Sequence, residues 1–265
     1  MMINIYNYFI EKISELGAWC IQCTRSCGVA ILMLGEAILN FRKIPKRRNQ
    51  IGILLYTVGI RSFGVTSVVA LFTGMILSLQ AGLELRKFGQ EVNVGVIVSQ
   101  TMCREMGPFM TALILAASVG SMMAAELGTM KVSEELDALE VMGISTNEFL
   151  IMPRVLAMLI MTPILTIYTN LIGTIGGGLV ANTQLHLNWL SYFNNVLTLL
   201  HMKEIYFGLF KAAIFGLQVS AISCFQGITT TNGAIGVGKA TRESVVLSFL
   251  YVLITGYMLT RIFYD

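Results

Sequence analysis

The sequence is poor in charged residues. Only 12% of its 265 residues are Asp, Glu, Lys or Arg, whereas 55% are hydrophobic. A soluble globular domain carries about 25% charged residues, so the composition excludes a soluble core. The mean hydropathy of +0.73 predicts an integral membrane protein. The net charge of +3 is too small to indicate a nucleic-acid-binding surface.

Histidine is also scarce, and cysteine forms only one cluster. Cys20, Cys23 and Cys27 could bind a metal, but no fourth ligand lies nearby in the sequence. The alternative is small buried side chains on a helix face, and we predict no metal site. The amino terminus lacks the features of a secretory signal or a transit peptide. We therefore expect the chain to be made in the compartment that it serves, or to be inserted without cleavage.

Residues 1–49 are predicted to form a separate amino-terminal region. Its apolar stretches are too interrupted for a span, which needs about 20 mostly apolar residues. We predict an amphipathic helix at the membrane interface within residues 3–41. The basic cluster that follows, at 42–48, places this end on the cytoplasmic side, or on the stromal side in a plastid.

Residues 50–265 predict an all-α membrane domain with about five transmembrane helices. The candidates are 53–82, 95–125, 155–181, 205–228 and 245–263, with Pro163 expected to bend the third. An inside start places 126–154 and 229–244 on the same side as 42–48. These inside segments hold nine Lys and Arg, against four on the outside: Arg86, Lys87, Lys203 and Arg261. In the outside segment 182–204 we predict a surface helix anchored by Trp189 and Tyr192.

Small residues recur at every fourth position of the second predicted span. One ladder is Ala112, Ala116, Gly120, Ala124 and Gly128, and the other is Ala117, Ser121, Ala125 and Thr129. Small side chains let helices approach closely in lipid. The ladders predict a central helix, and they are typical both of a tight transporter interface and of ordinary bundle packing.

Charged residues within the apolar spans are candidate binding groups. Arg104 and Glu105 lie in the second span and Lys211 in the fourth. A charge at the bilayer centre costs about 2.5–3.5 kcal/mol on insertion scales, so it usually faces a cavity or a partner. Arg104 could bind an anionic head group, and Glu105 could orient it or pair with a basic residue. The alternative is that these side chains extend to the membrane interface.

An acidic segment follows the second span and predicts a short inside helix. Ser133 is expected to cap its start, and Gly143 to end it in a left-handed conformation. Its acids are Glu134, Glu135, Asp137 and Glu140. Inside loops normally gather Lys and Arg, so this acidic helix indicates a docking element; a solvated connector is the alternative. Ser145 and Glu148 predict a capping box for the next helix.

Residues 233–240 nearly match a phosphate-binding loop, but the match fails. The motif G-x4-G-K-[ST] requires a hydroxyl at position 240, where this chain has Ala240. No strand is predicted before it, and it lies between two spans. We interpret it as a Gly-rich turn with a basic end.

Three stretches resemble the MlaE-type permeases, the membrane subunits of ABC transporters that move phospholipids or related lipids in bacteria and plastids. They are REMGPFMTAL, VGSMMAAELGTMKVSEELDALEVMG and TTTNGAIGVGKATRESVV. The resemblance covers about 50–263, and the last stretch is most similar to cyanobacterial and plastid-encoded members. One departure is Ala117-Ser118, where relatives often have Gly followed by Arg or Gln.

The resemblance implies a homodimeric permease subunit without enzymatic activity or a cofactor of its own. A separate ATPase, which binds ATP and Mg²⁺, would dock on the coupling helix at 133–143. A phospholipid would occupy a cavity near Arg104, Glu105 and Lys211, and an MCE-domain protein would deliver or receive it. The membrane would be the plastid inner envelope, or the cytoplasmic membrane in a bacterium. The alternatives are a non-transporting membrane scaffold and a membrane-embedded lipid enzyme.

Overall fold

The protein is described by a computed structural model that covers residues 28, 32, 33, 35, 36 and 47–264. This part of the chain is helical and contains no strand. Five helices are long and apolar enough to cross a membrane: α1 (Arg48–Arg86), α2 (Glu91–Val132), α4 (Asn147–Thr183), α6 (Met202–Ile228) and α7 (Gly233–Tyr264). Two short helices connect them, α3 (Glu135–Val141) and α5 (Trp189–Leu199). The predicted all-α membrane fold with five spans is confirmed.

Most of the amino-terminal region, including Cys20, Cys23 and Cys27, lies outside the described residues. Two of its described residues, Glu36 and Arg47, contact the start of α4. Asn147 donates a hydrogen bond to Glu36, and the guanidinium of Arg47 lies 4.7 Å from the ring centre of Phe149. Gln50, in the first turn of α1, donates to the carbonyl of Phe149 at 3.2 Å. The start of α1 is therefore attached to the start of α4.

Helices α1 and α4 run in the same direction and approach each other closely. Their contact uses buried small residues of α1 at every fourth position: Ser62, Thr66, Ala70, Gly74, Ser78 and Gly82. A methyl group at Gly74 would overlap the carbonyl of Gly173, and one at Gly176 would meet the carbonyl of Leu71 at 2.5 Å. The sequence analysis did not identify this stripe, which brings two helix backbones together.

Helix α2 packs between α6 and α7. The predicted ladder of Ala112, Ala116, Gly120, Ala124 and Gly128 is buried. A methyl group at Gly120 would meet the hydroxyl of Ser223 at 2.8 Å, so α2 and α6 are close there. The second ladder lies differently, since Ala117 and Thr129 are exposed on the surface of the chain. Within one chain, the first ladder serves ordinary bundle packing.

Two details of the spans differ from the prediction. Helix α7 begins at Gly233, not at 245, so the Gly-rich residues 233–240 form helical turns and no separate turn. Helix α2 contains two π-helical turns, Met102–Met106 and Ala116–Gly120. The first immediately precedes Gly107-Pro108, and proline has no N–H to continue the α-helical pattern.

The predicted surface helix is α5, but Tyr192 is not an interfacial anchor. Its ring is buried beside Gly95 and Gly177, whose missing side chains leave the space that it fills. The Tyr192 hydroxyl donates a hydrogen bond of 3.1 Å to the carbonyl of Thr174. Burial raises the pKa of this phenol. Tyr192 therefore attaches α5 to α2 and α4, while Trp189 remains exposed.

Candidate functional site

The first ion pair of the bundle joins Arg104 in α2 to Glu204 at the start of α6. Arg104 Nε and Nη2 each donate to a different carboxylate oxygen of Glu204, both at 2.7 Å. The hydroxyl of Tyr264, near the end of α7, donates to the same carboxylate. The Arg104 guanidinium also lies 4.1 Å from the ring centre of Tyr264. This bidentate, ring-stacked geometry is one that arginine provides and lysine cannot.

The second ion pair lies next to the first and joins α2, α6 and α7. Lys211 Nζ lies 2.6 Å from Glu105 Oε2 and 2.7 Å from the Thr260 hydroxyl. Thr260 donates to the other oxygen of Glu105 at 2.7 Å. The Lys211 side chain is 1% exposed, so it does not extend to the membrane interface. Buried charges persist when paired and hydrogen-bonded in this way.

The six residues form one neutral cluster, which we call the outer network. Its members are Arg104, Glu105, Glu204, Lys211, Thr260 and Tyr264. Two cations and two carboxylates balance, and three spans each contribute at least one charge or hydroxyl. The Arg104 side chain is 34% exposed whereas that of Glu204 is 7% exposed. Arg104 is therefore the cation of the network that a ligand can reach first.

The structure brings together the three charged residues predicted from the sequence and adds partners that the sequence analysis missed. Glu105 pairs with the basic residue Lys211, which is one of the two roles predicted for Glu105. Arg104 forms its ion pair with Glu204. A signal for Glu204 was available: it precedes Lys211 by seven residues, hence two turns on one helix face.

At the other end of the bundle, which the predicted topology places inside, α3 lies between the end of α2 and the start of α4. Leu136 is buried, but Val141 and Met142 are 89% and 64% exposed. The predicted acids Glu134, Glu135, Asp137 and Glu140 are all exposed. Met142 does not share the buried face of Leu136, because α3 ends at Val141 and the chain then turns. The short helix thus carries an exposed apolar tip beside its acids.

The end of α3 agrees with the prediction from the sequence, but its start does not. Gly143 adopts φ +75°, and Gly143 and Ile144 donate to the carbonyls of Glu140 and Leu139, as in a Schellman stop. Ser133 does not cap the start, because its hydroxyl donates to the carbonyl of Thr129 in the last turn of α2. Glu134, at φ +60°, makes the sharp corner between the two helices.

Two ion pairs attach this inner region to the spans. Lys131 at the end of α2 lies 2.7 Å from Asp137 of α3. Arg154 of α4 is buried and lies 3.0 Å from Glu126 of α2, while donating to the carbonyl of Leu150. The Ser145 hydroxyl accepts a hydrogen bond of 3.4 Å from the Glu148 N–H, which is one half of the predicted capping box. A displacement of α3 would therefore be transmitted to α2 directly.

Comparison with known proteins identifies the family to which this arrangement belongs. Residues 53–262 match the family described as Permease MlaE. This chain belongs to the MlaE permease family. The match includes all the residues of the outer network except Tyr264, together with the whole of α3. The chain is accordingly a permease subunit and a multi-pass membrane protein.

Relatives of this MlaE permease occur in bacteria and in a plant. A probable ABC transporter permease protein of Rickettsia typhi is 34% identical over 100% of this chain and 99% of its own length. The intermembrane phospholipid transport system permease protein MlaE of Haemophilus influenzae is 32% identical over 96% of this chain and 98% of its own. The chloroplastic protein TRIGALACTOSYLDIACYLGLYCEROL 1 of Arabidopsis thaliana is 33% identical over 80% of this chain and 60% of its own.

Proposed function

We propose that this MlaE permease moves phospholipid, or a related lipid, as the membrane subunit of an ABC transporter. The observation that carries the proposal is the family match over residues 53–262, together with a relative whose name states intermembrane phospholipid transport. The chain itself would perform no catalysis. ATP and Mg²⁺ would bind a separate ATPase subunit.

The ATPase would dock on α3. Its exposed acids and its apolar tip, Val141 and Met142, form a protruding surface that is small enough to enter a groove on a partner. The Lys131–Asp137 pair would transmit the motion of that partner to α2. Because α2 also carries Arg104 and Glu105, one rigid helix would connect the docking surface with the outer network.

The outer network would form the polar part of the lipid pathway. A lipid phosphate would bind Arg104 by competing with Glu204 for the guanidinium, with the ion pair of Glu105 and Lys211 nearby. Two copies of the chain would enclose the lipid at their common axis. An MCE-domain protein would exchange the lipid on the outer side.

The membrane would be the plastid inner envelope, in line with the chloroplastic relative, or the cytoplasmic membrane of a bacterium. The second candidate function, a non-transporting scaffold, would require neither the outer network nor an exposed α3. Mass spectrometry of the gently solubilised native complex separates the two. We expect two permease chains, ATPase subunits and bound phospholipid; a chain recovered without either ATPase or lipid would contradict transport.

A further inference from the structure

Arg61 is a charged residue in α1 that the outer network does not include. It lies 13 residues after Arg48, about 20 Å along the helix, and is exposed on the surface of the chain. Its Nη1 is 3.7 Å from the sulfur of Met122 in α2. Met122 is nine residues, or about 14 Å, from Lys131 at the inner end of α2. Arg61 therefore lies within the apolar helix α1 and not at either of its ends, and an unpaired charge in lipid is disfavoured.

No carboxylate of the described residues pairs with Arg61, and a thioether is only a weak acceptor. The surrounding helices offer no spare anion. Each carboxylate of the five spans already pairs with a cation of the same chain: Glu84 with Lys87, Glu91 with Arg86, Glu105 with Lys211, Glu126 with Arg154, Glu148 with Arg47, Glu204 with Arg104 and Glu243 with Lys239. A second copy of these spans would therefore bring no free carboxylate to Arg61.

The face of α2 beside Arg61 is suited to a polar ligand. Ser118 precedes Met122 by one helical turn and is exposed, and Ser121 directly precedes Met122. Both hydroxyls now donate to carbonyls of their own helix, Ser118 to Ile114 at 2.7 Å and Ser121 to Ala117 at 2.5 Å. A hydroxyl can rotate to donate to an anion instead. The second π-helical turn of α2 includes Ser118, and π-helical turns occur frequently at functional sites.

We propose that Arg61 binds the phosphate of a phospholipid on the exposed face between α1 and α2, with Ser118 and Ser121 as additional donors. The inference rests on the proposed lipid transport and adds to it a second anion site, nearer the inner side than the outer network. An arginine presents a planar pair of donors to phosphate oxygens. The site selects lipids by headgroup charge, whereas the apolar surface around it accepts acyl chains of any kind.

The test compares two lipids that differ only in the phosphate-containing headgroup. The full chain is purified into nanodiscs containing phosphatidylglycerol and diacylglycerol with the same acyl chains, and the lipid retained per chain is measured by native mass spectrometry. We expect Arg61→Gln to lower the retained ratio of phosphatidylglycerol to diacylglycerol by about tenfold, as for loss of a charged hydrogen bond. Arg61→Lys should retain most of the preference. Arg242→Gln removes an exposed cation of α7 and should leave the ratio unchanged.

A second measurement does not depend on retention. A photo-crosslinking residue in place of Met122 should capture phosphatidylglycerol in the otherwise unchanged chain, and about tenfold less of it when Arg61→Gln is added. An unchanged lipid ratio in Arg61→Gln would overturn the inference. Dissociation of the permease dimer in Arg61→Gln with lipid binding intact would also overturn the inference, because Arg61 would then contact the second chain. If ATPase subunits still co-purify in these cases, the transport function is unaffected and only the Arg61 site is rejected.

Discussion

Arg104 and Glu204 are 100 positions apart in the chain, yet they form two parallel hydrogen bonds of 2.7 Å inside the bundle. The carboxylate of Glu204 is almost completely buried, and Arg104 is the cation that neutralises it. Helix α7 reaches the same point, because Tyr264 donates to Glu204. One carboxylate thus joins three spans.

Removal of Arg104 should destabilise the fold. Arg104→Ala would leave Glu204 buried without its cation, and breaking a buried pair from one side costs about 3–5 kcal/mol. Because Arg104 is partly exposed, we expect the loss in free energy of unfolding to lie near the lower end of this range. Thermal unfolding of the purified chain in detergent measures it. The double variant Arg104→Ala with Glu204→Ala should lose less stability than the two single losses combined; additive losses would mean that the two residues act independently.

Lipid content provides a separate readout of Arg104. We expect Arg104→Ala to reduce the phospholipid that co-purifies with the chain several-fold, because the accessible cation of the outer network is removed. Arg86→Ala is the control, since Arg86 is an exposed cation at the end of α1. Lipid is quantified by mass spectrometry on protein that has been checked for folding. Equal lipid in the two variants would assign Arg104 a purely structural role.

Charge reversal on α3 should prevent association with an ATPase. Glu134→Lys combined with Asp137→Lys changes two exposed acids of α3 and breaks the pair between Asp137 and Lys131. We expect co-purification of the ATPase to be lost while the permease dimer remains. The matched control reverses Glu84 and Glu91, two acids at the opposite end of the bundle. Retention of the ATPase by the α3 variant would remove the docking role of this helix.

The contact of α1 with α4 should not tolerate even one added methyl group. Gly74→Ala would place a carbon against the carbonyl of Gly173, so the helices must separate along a long contact. We expect a lower unfolding temperature than in Gly64→Ala, at a position of the same helix with open space around it. Gly64→Ala should be neutral or should stabilise by up to about 1 kcal/mol. Comparable unfolding temperatures in the two variants would show that α1 and α4 can separate without loss.

The sequence was most informative where a local rule applies. Each of the five spans could be recognised because a helix must satisfy its backbone groups internally in lipid, and so needs a long apolar run. The helix stop at Gly143 was predictable because few residues other than glycine adopt positive φ readily. The start of α7 was missed for a related reason: Gly233 and Gly238 indicated a turn, but the helix already begins at Gly233 and its residue Ala240 is buried.

What tertiary structure alone decided is which residues are partners. The sequence by itself determined the class of protein, the number of spans and the presence of charges within them, since these follow from composition and apolar length. It did not determine that Arg104 pairs with Glu204, that Tyr192 is buried, or that Arg61 pairs with no carboxylate in the part of the chain that the structure describes. Those facts depend on which helices become neighbours, and they arise from contacts between residues far apart in the chain. In lipid such contacts are selected by close packing and by pairing of charges. A ladder of small residues can mark a packing face in the sequence, but it does not say which helix that face will meet.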